Sequence, residues 1–169
     1  MTKPAVLERI SAIIKMVKAI GPVYSTMTPI EKKHTQTTIG ASLWYGLGGV
    51  RQYTGYCSKQ LLLEQKNANK WISKYISHEH PWPRKLMATK LLSKYESPEK
   101  ELKLIIEKAI VVNFVTKAEN KKLIQFQKEG IFETPEKSYH QAGIELTPFP
   151  YDAIMKIKKN FNLLDQYIK

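Results

Sequence analysis

Two short segments of this chain carry side chains that could do chemistry together. Residues 79–84, Glu-His-Pro-Trp-Pro-Arg, place a carboxylate beside an imidazole where two prolines stop any regular element. Residues 115–120, Val-Thr-Lys-Ala-Glu-Asn, end a β-like run and begin a helix with a carboxamide in its first turn. Hard oxygen donors suit Mg²⁺, and a neutral imidazole can take a proton from water at cellular pH. We therefore expect Glu79 and Asn120 to hold one Mg²⁺ or another divalent cation, with His80 as the general base.

Local signals predict the elements that position these segments. The apolar, β-branched run 110–115 is the best strand in the chain, and Thr116 with Glu119 forms a capping box that begins a helix through about Lys128. Apolar residues from Val6 to Ile20 predict an amphipathic helix that ends at Gly21-Pro22. A capping box of Thr28 with Glu31 and a capping residue at Ser58 predict two further helix starts, whereas residues 131–150, with three prolines, are predicted to be irregular. The expected fold class is α+β and mostly helical, as a single domain over residues 1–169.

Composition points to a polyanionic partner. The formal net charge is +12, and the basic side chains are lysines except for Arg9, Arg51 and Arg84. Mobile lysine charges attract phosphate but are poor at reading bases, so nucleic acid is the leading partner class. A solvated basic face without a specific partner is the alternative, and an anionic membrane surface is the least favoured.

The cysteine count and the pattern of apolar residues exclude several classes of protein. The single cysteine, Cys57, excludes an intramolecular disulfide framework and any zinc site built on paired cysteines. The N-terminal apolar residues are interrupted by charges, and no apolar run is long enough to span a bilayer, so we expect a cytoplasmic protein without a signal peptide.

The two segments together resemble the HNH (His-Me finger) endonucleases, and most closely the variants common in bacteriophage and mobile elements. The resemblance covers about half of the chain and includes the stretch 138–146. It implies a ββα-metal core over residues 58–146, with a helical N-terminal part over 1–57 and a C-terminal helix over 147–169. It also implies a metal-dependent endonuclease that hydrolyses phosphodiester bonds in DNA.

The resemblance assigns roles by position. Glu79 stands at the first metal ligand, His80 at the general base and Asn120 at the last metal ligand, while Arg84 would bind phosphate or support the site. Two departures stand out. Residues 85–112 contain neither Asn nor Asp to fill the family's middle position, and the spacing from His80 to Asn120 requires a helical insertion.

Several further residues are candidates around the site. His78, on the same extended segment as His80, and His140 are additional candidates for binding or catalysis. The lysines that flank both segments would contact a phosphate backbone that crosses the site, or form a solvated face: Lys85, Lys90, Lys117, Lys121 and Lys122. A non-catalytic nucleic-acid-binding protein on a degenerate nuclease fold and an RNase of the same fold remain open, as does pairing of two copies.

Overall fold

Residues 3–46 and 52–168 are described by the computed structural model. They form two compact units that alternate along the chain. The first unit comprises Met1–Gln52 and Trp82–Val111, and the second comprises Tyr53–Pro81 and Val112–Lys169. The chain therefore leaves the second unit after Pro81 and returns to it at Val112. The predicted divisions 1–57, 58–146 and 147–169 follow a different scheme and stay a prediction.

The described part of the first unit is helical. Its helices are α1 (Lys3–Tyr24), α2 (Pro29–Ala41), α4 (Arg84–Ser93) and α5 (Glu99–Ile110), with a π-helical turn at Ser42–Gly46. Thr28 caps α2 in the predicted capping box with Glu31, which confirms that helix start. Aliphatic side chains from all four helices form one buried core, which includes Val17, Ile39, Leu91 and Ile106.

The second unit is built on a four-stranded mixed sheet. Its strands are β1 (Gln52–Ser58), β2 (Ile76–Glu79), β3 (Val111–Thr116) and β4 (Leu146–Pro148), in the order β2-β3-β1-β4. Strands β2 and β3 are antiparallel, as are β1 and β4. The chain between β2 and β3 is the helical excursion α4–α5, so two strands distant in sequence become neighbours in the sheet.

Four α-helices complete the described part of the second unit: α3 (Lys59–Asn67), α6 (Lys117–Phe126), α7 (Pro135–Ala142) and α8 (Tyr151–Lys159). Two 3-10 helices, Ser73–Tyr75 and Phe161–Tyr167, also belong to it. Ser58 caps α3 as a residue of that type predicts. Helices α6 and α7 share a small core of Leu123, Tyr139, Ala142 and Ile144. This core fixes α7 against the helix that follows β3 directly.

Two sequence predictions need correction, and one strand was missed. Residues 131–150 are not irregular, because they contain α7 and β4. Strand β1 was not predicted, since Gly55 interrupts it with a φ of 86° and its polar and aromatic residues alternate weakly. Helix α1 passes through Gly21 and Pro22, and Gly21 is required there because an added Cβ would overlap the Tyr95 ring. The coarse prediction of an α+β, mostly helical chain is confirmed.

None of the helices in the described ranges has the length and apolar character needed to cross a bilayer.

Candidate metal and catalytic site

The register of β2 and β3 sets the geometry of the site. Glu79 lies opposite Asn113, and Ser77 lies opposite Val115. Because alternate residues of a strand share a face, Ser77 and Glu79 point to the same side of the sheet. The Asn120 side-chain amide, in the first turns of α6, donates to the Ser77 hydroxyl over 2.9 Å. The structure therefore brings the amide of residue 120 to the same face of β2 as the predicted carboxylate ligand.

Asn120 is placed there by the capping box at the start of α6. The Thr116 hydroxyl accepts from the Glu119 N–H at 3.1 Å, and the Glu119 carboxylate accepts from the Thr116 N–H at 2.8 Å. The same carboxylate accepts from the Ser58 hydroxyl at 2.6 Å, which ties α6 to the end of β1. Glu119 is thus a helix-start residue, as predicted, and it fixes where the next residue begins its turn.

Glu79 is buried and fully engaged with donors. Its side chain is 1% exposed although it ends a strand. The Gln127 amide donates to Oε1 at 2.6 Å, and the Tyr139 hydroxyl makes a short hydrogen bond to Oε2. Burial raises the pKa of Glu79 above its ordinary value, and the hydrogen bonds from Tyr139 and Gln127 oppose that rise. The carboxyl is therefore held in one orientation within a water-poor environment.

A directional chain of hydrogen bonds stands behind Tyr139. The Asn113 amide donates to the Tyr139 oxygen at 2.7 Å, and Thr54 on β1 donates to the Asn113 carbonyl oxygen. Burial, followed by the nearby negative charge of Glu79, raises the pKa of Tyr139, so its hydroxyl stays protonated as a donor. Every donor in this chain points toward Glu79, which is the polarity that stabilises a carboxylate.

His80 follows Glu79 directly and is tied to the same network through its backbone. The side-chain amide of Gln127 donates to the His80 carbonyl at 3.2 Å in addition to its bond with Glu79. The His80 side chain is half-buried, and its Nε2 atom is buried. The side-chain amide of Gln127 thus fixes both the backbone of His80, the predicted general base, and the side chain of Glu79, the predicted metal ligand.

The remaining predicted residues divide between the two units. His78 stacks on Phe114 with 5.0 Å between ring centroids, so it lies on the sheet face opposite Glu79. His140 is exposed on α7. Arg84 belongs to the first unit, where its guanidinium lies 4.8 Å from the centre of the Trp44 ring.

The predicted lysines are all exposed, but they do not share one unit. Lys85 and Lys90 belong to the first unit, on α4. Lys117, Lys121 and Lys122 belong to the second unit, on α6, the helix that carries Asn120.

Sequence reasoning missed three residues that contact Glu79 or its neighbours. Asn113 lies one residue beyond the stretch 85–112, which contains no Asn or Asp, and its neighbours in β3 from 111 to 115 are all apolar. That contrast is a usable signal, because a buried polar side chain requires partners. Tyr139 and Gln127 gave no such signal, since their roles depend on how α7 and the end of α6 fold back.

Two of the predicted site residues carry oxygen donors of the type that hard divalent cations prefer. Glu79 and Asn120 supply a carboxylate and an amide oxygen from one face of β2 and α6, and such ligands suit Mg²⁺. Across residues 3–46 and 52–168 there is no group of three or more His, Cys, Asp or Glu side chains placed to hold a metal ion. Mg²⁺ commonly takes one or two protein ligands and completes its shell with water and substrate phosphate.

In comparisons with models of protein families, with curated proteins and with solved structures, nothing matches this chain.

Proposed function

We propose that this protein is a metal-dependent endonuclease of the HNH type that hydrolyses phosphodiester bonds in DNA. The observation that carries the proposal is the hydrogen bond between Asn120 and Ser77. It joins the helix after β3 to the strand that ends in Glu79 and His80, across 43 residues of sequence. Two antiparallel strands followed directly by a helix, with these residues at the junctions, is the arrangement that the resemblance implies.

His80 would act as the general base. It takes a proton from a water molecule, whose oxygen attacks phosphorus while the bond to the leaving sugar oxygen breaks. Gln127 keeps the His80 backbone in place through its 3.2 Å bond to the carbonyl. A general base of this kind contributes about 10²- to 10⁴-fold to the rate.

Glu79 and Asn120 would hold the divalent cation. When bound, the cation supplies charge stabilisation for the phosphate and for the leaving oxygen. Glu79 is oriented for this role by Tyr139 and Gln127, and Asn120 by the capping box at the start of α6. The bond from Asn120 to Ser77 uses the amide nitrogen, so the amide oxygen would be the metal donor and the bond could be kept when the cation binds.

The exposed lysines on α6 would bind the DNA backbone. Lys117 and Lys121 are one helical turn apart, on the helix that carries Asn120. Lysine charges contact phosphate irrespective of sequence, so these residues give affinity and position, not sequence specificity.

Cleavage of supercoiled plasmid tests this function. Wild-type protein with Mg²⁺ should nick or linearise the plasmid, and EDTA should stop the reaction. His80→Ala should lower the cleavage rate by about 10²-fold or more while salt-sensitive DNA binding is retained. His78→Ala is the matched control, because the His78 imidazole lies on the sheet face opposite to that of Glu79. Undiminished cutting by His80→Ala would reject the mechanism.

The second candidate function is nucleic-acid binding without catalysis. It is favoured by the burial of Glu79 and by the engagement of both metal-ligand candidates in bonds within the protein. It predicts DNA binding that weakens steeply with salt, no cleavage at any Mg²⁺ concentration, and no effect of His80→Ala. An RNase on the same site is separated from a DNase by side-by-side digestion of RNA and DNA.

A further inference from the structure

One buried hydroxyl of the second unit joins two other polar side chains, and the resemblance gives it no role. The Tyr139 hydroxyl is buried and makes hydrogen bonds with two other buried polar side chains, Glu79 and Asn113. Tyr139 is 6% exposed, so neither bond is exchanged with solvent. A buried hydroxyl satisfied as both donor and acceptor has one orientation, and so has the carboxylate oxygen that it binds.

The direction of the hydrogen bonds shows that they stabilise the ionised form of Glu79. Thr54 donates to Asn113, Asn113 donates to Tyr139, and Tyr139 donates to Glu79. On the other carboxylate oxygen, Gln127 is again the donor. A carboxyl that receives donors on both oxygens is held as an acceptor, and an acceptor carboxylate is the form that binds a cation.

The position of Tyr139 is set by the same helix that carries the other metal-ligand candidate. Its ring packs in one buried cluster with Leu123 of α6. Helix α7 is fixed at both ends, by the Thr134 side chain that caps its start and by Gly143 in the left-handed conformation at its end. Tyr139 therefore links the location of α6 to the orientation of the Glu79 carboxylate.

We infer that Tyr139 is a positioning residue for the metal site, which holds Glu79 through a hydroxyl that Asn113 and Thr54 support. This rests on the proposed function, since it assigns Glu79 to the cation. Hydrogen-bonded groups behind a metal ligand orient it, and their loss typically lowers metal affinity by about 10- to 100-fold. Tyr139 touches neither DNA nor water in this scheme, so it acts through Glu79 alone.

The test measures the binding of Mn²⁺ alone to the full chain, with electron paramagnetic resonance used to detect the unbound ion. Tyr139→Phe removes one oxygen and should weaken Mn²⁺ binding by about 10- to 100-fold. Tyr53→Phe is the matched control, because it removes the hydroxyl of another tyrosine in the second unit, a half-buried one that donates to the Phe149 carbonyl at 2.6 Å. It should leave Mn²⁺ affinity unchanged.

Plasmid cleavage as a function of Mg²⁺ concentration gives the second readout. For Tyr139→Phe the Mg²⁺ concentration at half-maximal rate should rise, whereas the rate at saturating Mg²⁺ should stay within a few-fold of wild type. If Tyr139 had a purely structural role, Tyr139→Phe would lower the stability of the protein. The molecules that remained folded would then cleave DNA with the same dependence on Mg²⁺ concentration as wild type. If Tyr139→Phe does not fold, Asn113→Ala carries the test, because it removes the group behind the hydroxyl, and weaker Mn²⁺ binding is again expected.

The outcomes separate this inference from the proposed function. Suppose that the wild-type protein binds Mn²⁺ and cuts DNA, and that Tyr139→Phe binds Mn²⁺ as tightly as wild type or more tightly. This result would overturn the role of Tyr139 and leave the proposed function intact. Tighter binding would mean that the hydroxyl competes with the cation for Glu79. A wild-type protein that neither binds Mn²⁺ nor cuts DNA would overturn both.

Discussion

Replacement of Glu79 by Gln tests the electrostatics of the site without any substrate. Two effects act on the Glu79 carboxylate in opposite directions. Burial of an ion costs several kcal/mol, whereas each hydrogen bond to a charged group contributes about 1.5–3 kcal/mol. Burial is the larger effect in this structure, and it raises the pKa of Glu79 above its ordinary 4.5 in spite of the donors Tyr139 and Gln127.

The raised pKa fixes the sign of the pH dependence. Between pH 4.5 and the folded-state pKa, the folded chain keeps a proton on Glu79 that the unfolded chain has released. The free energy of unfolding therefore decreases as pH rises through this window, by up to about 1.4 kcal/mol per pH unit. The contribution is fully present below pH 4.5 and is lost as pH rises through the folded value. In Glu79→Gln this slope disappears, because the amide does not titrate.

Urea unfolding of both proteins at several pH values from 4 to 8 measures the difference in slope. Glu129→Gln, which removes an exposed carboxyl of the same unit, is the control and should keep the wild-type slope. Equal slopes in wild type and Glu79→Gln would refute the reasoning. If the free energy of unfolding of wild type instead rose with pH relative to that of Glu79→Gln, the hydrogen bonds to Glu79 would outweigh its burial.

Three further predictions follow from the same contacts. Cation binding to Glu79 should release protons at pH values below its raised pKa, measured by calorimetry in buffers of different ionisation enthalpy; proton uptake would contradict it. Lys117→Ala with Lys121→Ala should reduce the slope of log binding constant against log salt by about 2, and an unchanged slope would remove α6 from the DNA interface. Gly143→Ala should destabilise the second unit by about 1 kcal/mol in thermal or urea unfolding, because Gly143 has a φ of 66°; unchanged stability would contradict this.

Local signals explain most of what the sequence could predict. Capping residues act within one helical turn, so Thr28, Ser58 and Thr116 identified their helix starts without any knowledge of the tertiary fold. The strand 111–116 was identifiable because it is apolar and β-branched. These signals depend on neighbours in sequence, and they placed Asn120 in a first turn correctly.

Long-range contacts explain what the sequence could not predict. Strand β4 has three residues and is defined by its pairing with β1, from Tyr56–Pro148 to Ser58–Leu146, rather than by its own pattern. The partners Tyr139 and Gln127 reach Glu79 across 60 and 48 residues, and nothing in their immediate sequence indicates that. The roles of Glu79, His80 and Asn120 in catalysis stay predictions, supported by the placement of residue 120 beside β2.

The most direct test of the central claim is the location of a bound cation. Crystals of the protein with Mn²⁺ and a DNA duplex, recorded at the manganese absorption edge, give an anomalous peak wherever the ion lies. We expect the peak between the Glu79 carboxylate and the Asn120 amide oxygen, with the His80 ring facing the adjacent phosphate. A peak at other residues, or DNA bound at saturating Mn²⁺ with no peak beside Glu79 and Asn120, would contradict it.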